Sequence, residues 1–216
     1  MVDIRIGFIG DSITHGTGDE TLLGWTIRVG QAEIARGHDV VVYNLGVRAD
    51  TSALVDARWE AECDARLQPM FDCATVFAIG INDSAYEKSA AREGRRVALD
   101  DSLETISRAV TKAREIGPVL WIGPTPVIEA MMPITRIPGV SYDFQNQAID
   151  EYSRAYAAKA AEMDVPYLDL YTPLGADSAW AESLRHTDGL HPDAAGYELM
   201  TAHICGWAGW RALFDG

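Results

Sequence analysis

IRIGFIGDSIT, residues 4–14, is the segment that decides the fold of this chain. Its apolar run is short, rich in β-branched residues and ends in glycine and small polar residues, which predicts a buried strand in a sheet covered on both faces. Ligands of such sheets bind beyond the carboxyl ends of the strands, where Ser12 would lie. Gly10 permits a tight turn there, and Asp11, Ser12 and Thr14 can accept hydrogen bonds from the first amides of a following helix. The segment therefore predicts a strand that brings a serine to a binding edge, unless Ser12 only caps the helix.

Four further apolar segments follow the first, and helical segments separate them. We predict strands at 39–43, 74–79, 119–123 and 167–170, and helices at about 25–36, 51–67, 97–110, 145–163 and 194–213. Strands that alternate with helices predict a parallel sheet with helices on both faces. The polar segment 89–94 is predicted to be a loop, and 124–144 shows no clear periodicity.

The composition is that of one globular domain, to which we assign residues 1–216. The chain has 216 residues, of which 48% are hydrophobic and 23% charged, and this is enough for a substantial core. The net charge of −14 repels nucleic acids, anionic membranes and polyanionic ligands. We therefore predict a neutral small-molecule substrate and neither a nucleic-acid nor a membrane partner, and we leave a homo-oligomer open.

The cysteines and the first residues bear on the cellular compartment. Cys63, Cys73 and Cys205 cannot all pair within one chain and match no zinc or redox spacing, so they are expected to be free thiols in a reducing compartment. The first predicted strand begins at Ile4, which leaves no space for a signal peptide ahead of it. No apolar run approaches the roughly 20 residues of a spanning helix. These features predict a cytoplasmic protein, and a signal sequence removed beforehand is the alternative.

Five residues with catalytic chemistry follow predicted strands or precede the last helix: Ser12, Gly46, Asn82, Asp188 and His191. Because the carboxyl ends of strands converge at one edge of a doubly wound sheet, we expect these residues to lie close together. His191 could take the proton of Ser12, and Asp188 could accept a hydrogen bond from the other ring nitrogen. The pattern predicts a Ser-His-Asp triad.

Three hydrogen-bond donors are predicted for the negative oxygen of a tetrahedral intermediate. They are the side-chain amide of Asn82 and the backbone N–H groups of Ser12 and Gly46. Each residue also fits a plainer role, since glycine and asparagine form turns after strands, and the residues around Asp188 fit a turn before a helix. Their joint occurrence in this order favours an enzyme.

Four short motifs resemble those of the SGNH hydrolase superfamily, whose members are also called GDSL esterases and lipases. They are Gly10-Asp11-Ser12-Ile13, Asn44-Leu45-Gly46, Gly80-Ile81-Asn82-Asp83 and Asp188-Gly189-Leu190-His191-Pro192, and together they span nearly the whole chain. Ile13 stands where the motif name has leucine, and this apolar change leaves the chemistry unaffected.

The resemblance implies a fold and a set of roles. The implied fold is a flavodoxin-like three-layer α/β/α sandwich, which agrees with the five-stranded parallel sheet predicted from the alternation of strands and helices. By similarity, Ser12 is the nucleophile, and His191 is the base that Asp188 orients. Ser12, Gly46 and Asn82 would donate to the oxyanion.

We predict a serine esterase that hydrolyses small carboxylic esters through an acyl-enzyme, with no metal and no other cofactor. Substrate contacts are predicted at Asp11 and at the apolar residues Met131, Met132 and Ile134, which could line an acyl pocket. The apolar residues could equally pack against the body of the protein or a second subunit. Because the family covers lipids, thioesters, aryl esters and acetylated sugars, a thioesterase or a carbohydrate acetylesterase of the same fold is the alternative.

Two other interpretations fit less well. A conventional α/β-hydrolase requires Gly-x-Ser-x-Gly, and residues 10–14 lack the second glycine. A non-enzymatic flavodoxin-like module could bind a phosphorylated ligand at Ser12 and Thr14. That interpretation leaves Asn82, Asp188 and His191 without a role, and the negative net charge opposes it.

Overall fold

The computed structural model describes residues 1–215 and contains two sheets with helices between their strands. The strands are β1 (Asp3–Gly10), β2 (Asp39–Gly46), β3 (Cys73–Ala78), β4 (Tyr86–Lys88), β5 (Glu93–Arg95), β6 (Val119–Ile122), β7 (Ile134–Ile137), β8 (Val140–Asp143) and β9 (Tyr167–Leu168). The helices are α1 (Ser12–His15), α2 (Gly24–Ala35), α3 (Ser52–Asp56), α4 (Trp59–Asp64), α5 (Ile81–Ser84), α6 (Leu99–Ala113), α7 (Asn146–Glu162), α8 (Tyr171–Gly175), α9 (Ser178–Arg185), α10 (Ala194–Gly206) and α11 (Ala208–Arg211). A short 3-10 helix covers Glu129–Met131.

The larger sheet has five parallel strands in the order β2-β1-β3-β6-β9. The strand β1 is an interior strand of this sheet, because it pairs with β2 on one side and β3 on the other. Gly10, the last residue of β1, lies opposite Gly46 and Ala78. The predicted five-stranded parallel sheet is confirmed, and its carboxyl edge brings the ends of the first three strands together.

Each face of the parallel sheet has its own hydrophobic core. Ile6 and Phe8 belong to one buried cluster, whereas Ile9 belongs to another. Successive side chains of a strand point to opposite faces, so these two clusters lie on opposite sides of the sheet. The first cluster includes Trp25 from α2, and the second includes Tyr156 from α7. The arrangement is the predicted three-layer α/β/α sandwich.

A second sheet corrects the sequence prediction for two segments. The predicted loop at 89–94 is interrupted by β5 from Glu93, and the segment 124–144, which has no clear periodicity, contains β7 and β8. Together with β4, which precedes the loop, they form an antiparallel sheet in the order β5-β4-β8-β7. Strands of three or four residues are too short to produce a recognisable alternation. Gly139, with φ of 76°, makes the turn between β7 and β8. We call this four-stranded unit the accessory sheet.

Two predicted helices are interrupted. The helix predicted at 51–67 is split into α3 and α4 at Ala57 and Arg58, and the helix predicted at 194–213 is split into α10 and α11 at Trp207. At the first break the guanidinium of Arg58 donates hydrogen bonds to the carbonyls of Gly10 (2.9 Å) and Leu45 (2.8 Å). Arg58 thereby joins the ends of β1 and β2, a tertiary contact that local periodicity cannot reveal. Trp207 adopts an extended backbone, with φ of −77° and ψ of 131°.

Among residues 1–215, no helix has both the length and the apolar character needed to cross a membrane.

Candidate active site

Ser12 lies immediately beyond β1, an interior strand of the parallel sheet. Asp11 caps α1, because its Oδ1 accepts a hydrogen bond from the backbone N–H of Ile13 at 2.9 Å. The chain turns closely at Gly10, where a Cβ atom would come within 2.2 Å of Thr14 Oγ1 and 2.3 Å of the Ala78 carbonyl oxygen. Only glycine fits at this turn, so the strand end fixes the position of Ser12.

Ser12, His191 and Asp188 form a continuous hydrogen-bonded chain. The Nε2 atom of His191 lies 2.8 Å from Ser12 Oγ, and its Nδ1 atom lies 2.8 Å from Asp188 Oδ2. Asp188 Oδ1 accepts hydrogen bonds from the backbone N–H groups of His191 (2.9 Å) and Leu190 (3.1 Å). A carboxylate on Nδ1 places the proton there and leaves Nε2 free to accept the serine proton.

Asp188 is held in its ionised form. Burial raises the pKa of its carboxyl, but the hydrogen bonds from the His191 ring and backbone and from the Leu190 backbone outweigh burial and hold the pKa well below its usual range. Arg136, on β7 of the accessory sheet, also reaches Asp188, with Nη2 2.7 Å from the Oδ2 atom that contacts His191.

Asn82 lies at the start of α5, and its side-chain amide has a neighbour at each end. Its Nδ2 atom donates to Asp11 Oδ2 at 3.1 Å, and its Oδ1 atom accepts from Arg96 Nη1 at 3.0 Å. Asn82 and Ser12 line the same cavity. One of the two Nδ2 hydrogens is engaged by Asp11, which leaves the second available.

Gly46 and Ala49 differ in what their backbone N–H groups do. The N–H of Gly46 donates to Asn44 Oδ1 at 3.0 Å, and a Cβ atom on Gly46 would lie 2.2 Å from the backbone nitrogen of His15. Gly46 is thus accounted for by close packing. Ala49 lines the cavity, has φ of 66°, and its N–H has no acceptor among residues 1–215.

Asp11 is buried beneath the site and does not line the cavity at Ser12. Burial raises the pKa of Asp11 to about 7, although the hydrogen bonds from Ile13 and Asn82 act in the opposite direction. The nearby carboxylates of Asp83 and Asp50 raise it further. Asp11 therefore contacts the amide of Asn82 instead of a substrate in the cavity.

The cavity over Ser12 has a volume of about 250 Å³ and a largely apolar wall. It is lined by three polar residues of the site, by two arginines and Ala49, and by apolar side chains mostly from the accessory sheet: Ser12, Asn82, His191, Arg48, Arg136, Ala49, Ile134, Ile137, Tyr142, Phe144 and Leu190. Of the predicted pocket residues, Ile134 lines this cavity. Met131 and Met132 lie against Gly189 instead.

The structure thus brings together Ser12, His191, Asp188 and Asn82, but places Gly46 outside the cavity lining. Sequence reasoning missed Ala49, Arg96 and Arg136. Ala49 follows the second motif closely, but nothing in an alanine signals a positive φ. Arg136 reaches the site from β7 and Arg96 from the residue after β5, and both strands are too short to give a sequence signal.

A model of the GDSL-like lipase/acylhydrolase family matches residues 8–199, a range that includes every one of the motifs and both ends of the hydrogen-bonded chain. The chain belongs to this family. The resemblance seen in the four motifs is confirmed, and this GDSL-like lipase/acylhydrolase is an ester-hydrolysing enzyme. A comparison with curated proteins finds no match.

Solved structures share the fold of this GDSL-like lipase/acylhydrolase. A lipase/acylhydrolase from Enterococcus faecalis is 24% identical with a TM-score of 0.70, and the alignment covers 98% of this chain and 97% of that one. TesA is 24% identical with a TM-score of 0.69, with 97% and 99% covered. Axe2, an acetylxylan esterase from Geobacillus stearothermophilus, is 21% identical with a TM-score of 0.66, with 95% of each chain covered. At these identities the likeness concerns the fold.

Proposed function

We propose that this family member is a serine esterase that cleaves small carboxylic esters through an acyl-enzyme intermediate. The observation that carries the proposal is the pair of 2.8 Å contacts that His191 makes, one to Ser12 Oγ and one to Asp188 Oδ2. A serine hydroxyl is a weak nucleophile until a neighbouring base removes its proton, and this arrangement supplies that base.

The reaction proceeds in two halves. Ser12 Oγ attacks the ester carbonyl carbon while His191 Nε2 takes the hydroxyl proton, and the tetrahedral intermediate collapses as the carbon–oxygen bond to the alcohol breaks and His191 returns the proton to that alcohol. Water then attacks the acyl-enzyme with His191 as base. The acid leaves, and Ser12 regains its proton. Asp188 holds the ring and stabilises its positive charge.

We propose three donors for the negative oxygen that forms in both halves. Asn82 Nδ2 and the backbone N–H of Ser12 are two of the donors expected from the sequence. For the third we propose the N–H of Ala49 in place of Gly46, because Ala49 lines the cavity with an unengaged N–H, whereas Gly46 donates to Asn44. Preorganised donors act most strongly when the charge develops, so they lower the barrier instead of tightening ground-state binding.

The cavity supports a substrate with a short apolar acyl group. Its wall is formed by Ile134, Ile137, Tyr142, Phe144 and Leu190. Such a wall offers an acyl chain more contact than a sugar would gain, which favours a simple carboxylic ester over an acetylated carbohydrate. Rates on nitrophenyl esters of increasing acyl length, measured beside an acetylated xylan, test this preference.

Covalent labelling tests the nucleophile. A fluorophosphonate should label the protein, and labelling should disappear in Ser12→Ala and fall strongly in His191→Ala, because only an activated hydroxyl attacks phosphorus at a useful rate. The control is Ser107→Ala, which removes a serine of α6 that donates to the Leu103 carbonyl. Labelling that persists in Ser12→Ala would remove Ser12 from the mechanism, and a wild-type protein that never labels would contradict the esterase.

A further inference from the structure

Arg96 connects two of the proposed oxyanion donors. It follows β5 of the accessory sheet, and its guanidinium donates from Nη1 to Asn82 Oδ1 at 3.0 Å and from Nη2 to the Ala49 carbonyl at 2.8 Å. Its side chain is only 10% exposed. The guanidinium carbon lies 4.9 Å from the centre of the Tyr142 ring, and Nε lies 3.8 Å from Glu87. A single cation next to the accessory sheet thus contacts both Asn82 and Ala49.

The contact with Asn82 decides which way the amide points. A guanidinium has only donors, so the atom of Asn82 that faces Arg96 has to be Oδ1. The opposite end of the amide then presents Nδ2, which donates one hydrogen to Asp11 and keeps the other available for a ligand of the cavity that Asn82 lines. An amide rotated by 180° would place Oδ1 beside the negative oxygen and repel it. Arg96 excludes that orientation.

The contact with Ala49 acts on the backbone. Ala49 has φ of 66°, a conformation that costs a non-glycine residue energy and persists only where the surroundings hold it. A charge-assisted hydrogen bond on its carbonyl is one such restraint, since hydrogen bonds from a cation are stronger than those between neutral groups. Asp50 N–H, which donates to the Val47 carbonyl at 3.2 Å, closes the same turn.

We propose that Arg96 is a positioning residue that fixes the orientation of the Asn82 amide and of the Ala49 backbone for oxyanion binding. Arg96 does not line the cavity over Ser12, so its effect passes through the two donors. The inference rests on the proposed function. It gives the accessory sheet a part in the chemistry in addition to its part in the acyl pocket.

Kinetics of Arg96→Ala and Arg96→Lys test the proposal. We expect Arg96→Ala to lower kcat by about 10- to 100-fold with KM changed less than about 3-fold, which is below the roughly 10²–10³-fold loss for removing a donor itself. Arg96→Lys should fall between wild type and alanine, because one ammonium cannot span both oxygens as the fork does. Arg108→Ala is the matched control, since Arg108 is an exposed arginine of α6 that contacts Asp56.

A double-mutant cycle with Asn82→Ala separates positioning from support of the fold. If Arg96 acts mainly through Asn82, Arg96→Ala should cost less than about 3-fold in the Asn82→Ala background, because residues that share one effect are not additive. An aryl boronic acid, which forms a tetrahedral anion on the serine, should lose affinity in parallel with kcat. Equal losses in both backgrounds, or a lower melting temperature with an unchanged kcat, would overturn the proposal.

Fluorophosphonate labelling distinguishes a failure of the Arg96 proposal from a failure of the proposed esterase function. If wild-type protein labels with a fluorophosphonate and Ser12→Ala does not, the esterase stands regardless of Arg96. If Arg96→Ala does not fold, Arg96→Lys replaces it as the test, because lysine keeps the charge and the alkyl stem. A wild-type kcat and an unchanged boronate affinity in folded Arg96→Lys would overturn the proposal that Arg96 positions both donors through two hydrogen bonds.

Discussion

Asp11 caps α1 and also carries a buried carboxylate. The cap stabilises the folded state, whereas the ionised form of the buried group destabilises it. Its Oδ1 accepts from Ile13 N–H, which stabilises the start of α1, and its Oδ2 accepts from Asn82. Burial raises its pKa to about 7 from the ordinary value of 3.8. Because each pKa unit corresponds to about 1.4 kcal/mol, the ionised carboxylate costs the folded state on the order of 4 kcal/mol. The proposed oxyanion donor Asn82 is therefore oriented at the expense of stability.

The sign of this effect gives a prediction for Asp11→Asn. Between pH of about 4 and 7 the folded protein holds a proton on Asp11 that the unfolded chain has released, so the wild type should lose stability as pH rises through this range. Asparagine has no such proton. We expect the melting temperature of Asp11→Asn, relative to wild type, to increase from about pH 5 to about pH 8, as measured by thermal denaturation.

Above about pH 7, where Asp11 is ionised and only accepts, the same variant should be a poorer enzyme, because asparagine can turn a donor toward Asn82. Asp143→Asn is a control, since Asp143 forms an exposed contact with Gln145. A difference in melting temperature between Asp11→Asn and wild type that stays constant with pH would contradict the raised pKa of Asp11.

Gly46 and Ala49 give contrasting predictions. Ala49→Gly should keep kcat and stabilise the fold by up to about 1 kcal/mol, because glycine adopts a φ of 66° without the penalty of a Cβ atom. Gly46→Ala should destabilise the protein by about 1–3 kcal/mol, since its Cβ atom would lie 2.2 Å from His15 N. Denaturant titration and initial rates check both. A Gly46→Ala variant of normal stability but low kcat would return Gly46 to the oxyanion site.

At the scale of single residues, the sequence predicted the hydrogen-bonded chain well because its members carry recognisable chemistry. Ser12, Asp188 and His191 are identified by residue type and by the strands and turns around them, and the structure brings them within hydrogen-bonding distance. An N–H donor has no such signature, since every residue except proline has one. Backbone geometry alone distinguishes Ala49 from Gly46.

At the scale of elements, the β7–β8 hairpin forms one wall of the acyl pocket. Ile134 on β7 lines the cavity, whereas Ser12 follows β1 of the parallel sheet. We expect Ile134→Trp to reduce the rate on butyrate and longer esters much more than the rate on acetate. The larger side chain would occupy the space of a long acyl group and would not contact the reacting carbonyl. Kcat/KM across a nitrophenyl ester series measures this.

Thr135→Trp is the matched control for that series, since Thr135 is an exposed neighbour on the same strand that does not line the cavity. Equal losses on all esters in Ile134→Trp, with a lower melting temperature, would indicate that Ile134 supports the fold instead of the pocket.

Arg136 couples the same hairpin to Asp188. Its positive charge competes with protonated His191 for the Asp188 carboxylate, so Arg136→Gln should move the acid limb of the kcat/KM profile toward higher pH, and only slightly because the arginine is more than half exposed. The difference should shrink at high salt, which screens exposed charges. Profiles at low and high ionic strength provide the measurement.

Arg154→Gln removes an exposed arginine paired with Asp150 and should leave the profile unchanged. A profile of Arg136→Gln that overlays wild type at low salt would show that the ion pair with Asp188 has no effect on the base.

Predictability of the elements followed their length. Strands of the parallel sheet that are buried on both faces appear as continuous apolar runs and were found, as were the long helices α2, α6, α7 and α10. The accessory sheet was missed because its strands have three or four residues and are partly exposed. The pairing of β4 with β8 joins segments far apart in the sequence, such as Tyr86 with Asp143. A local sequence pattern cannot predict such pairing.

At the scale of the whole molecule, the alternation of strands and helices was sufficient to predict the sandwich, because parallel strands require crossover helices and these leave few topologies. The alternation does not predict the order of the strands in the sheet. That order places β1 between β2 and β3, so the earliest strand becomes an interior one whose end is enclosed by its neighbours.

Two segments far apart in the sequence meet at the site, which has a consequence for how the protein is made. Ser12 and His191 are separated by 179 positions, and the Tyr197 hydroxyl of α10 donates to the Thr17 carbonyl at 2.8 Å. At a translation rate of about 5–20 residues per second, the serine leaves the ribosome tunnel roughly 10–40 s before its base does. A nascent chain arrested ahead of residue 191 would carry an inert hydroxyl. In the proposed mechanism, hydrolytic competence is thus acquired only after residue 191 has been made and has reached Ser12, and reaction with a fluorophosphonate would mark the moment when α10 docks.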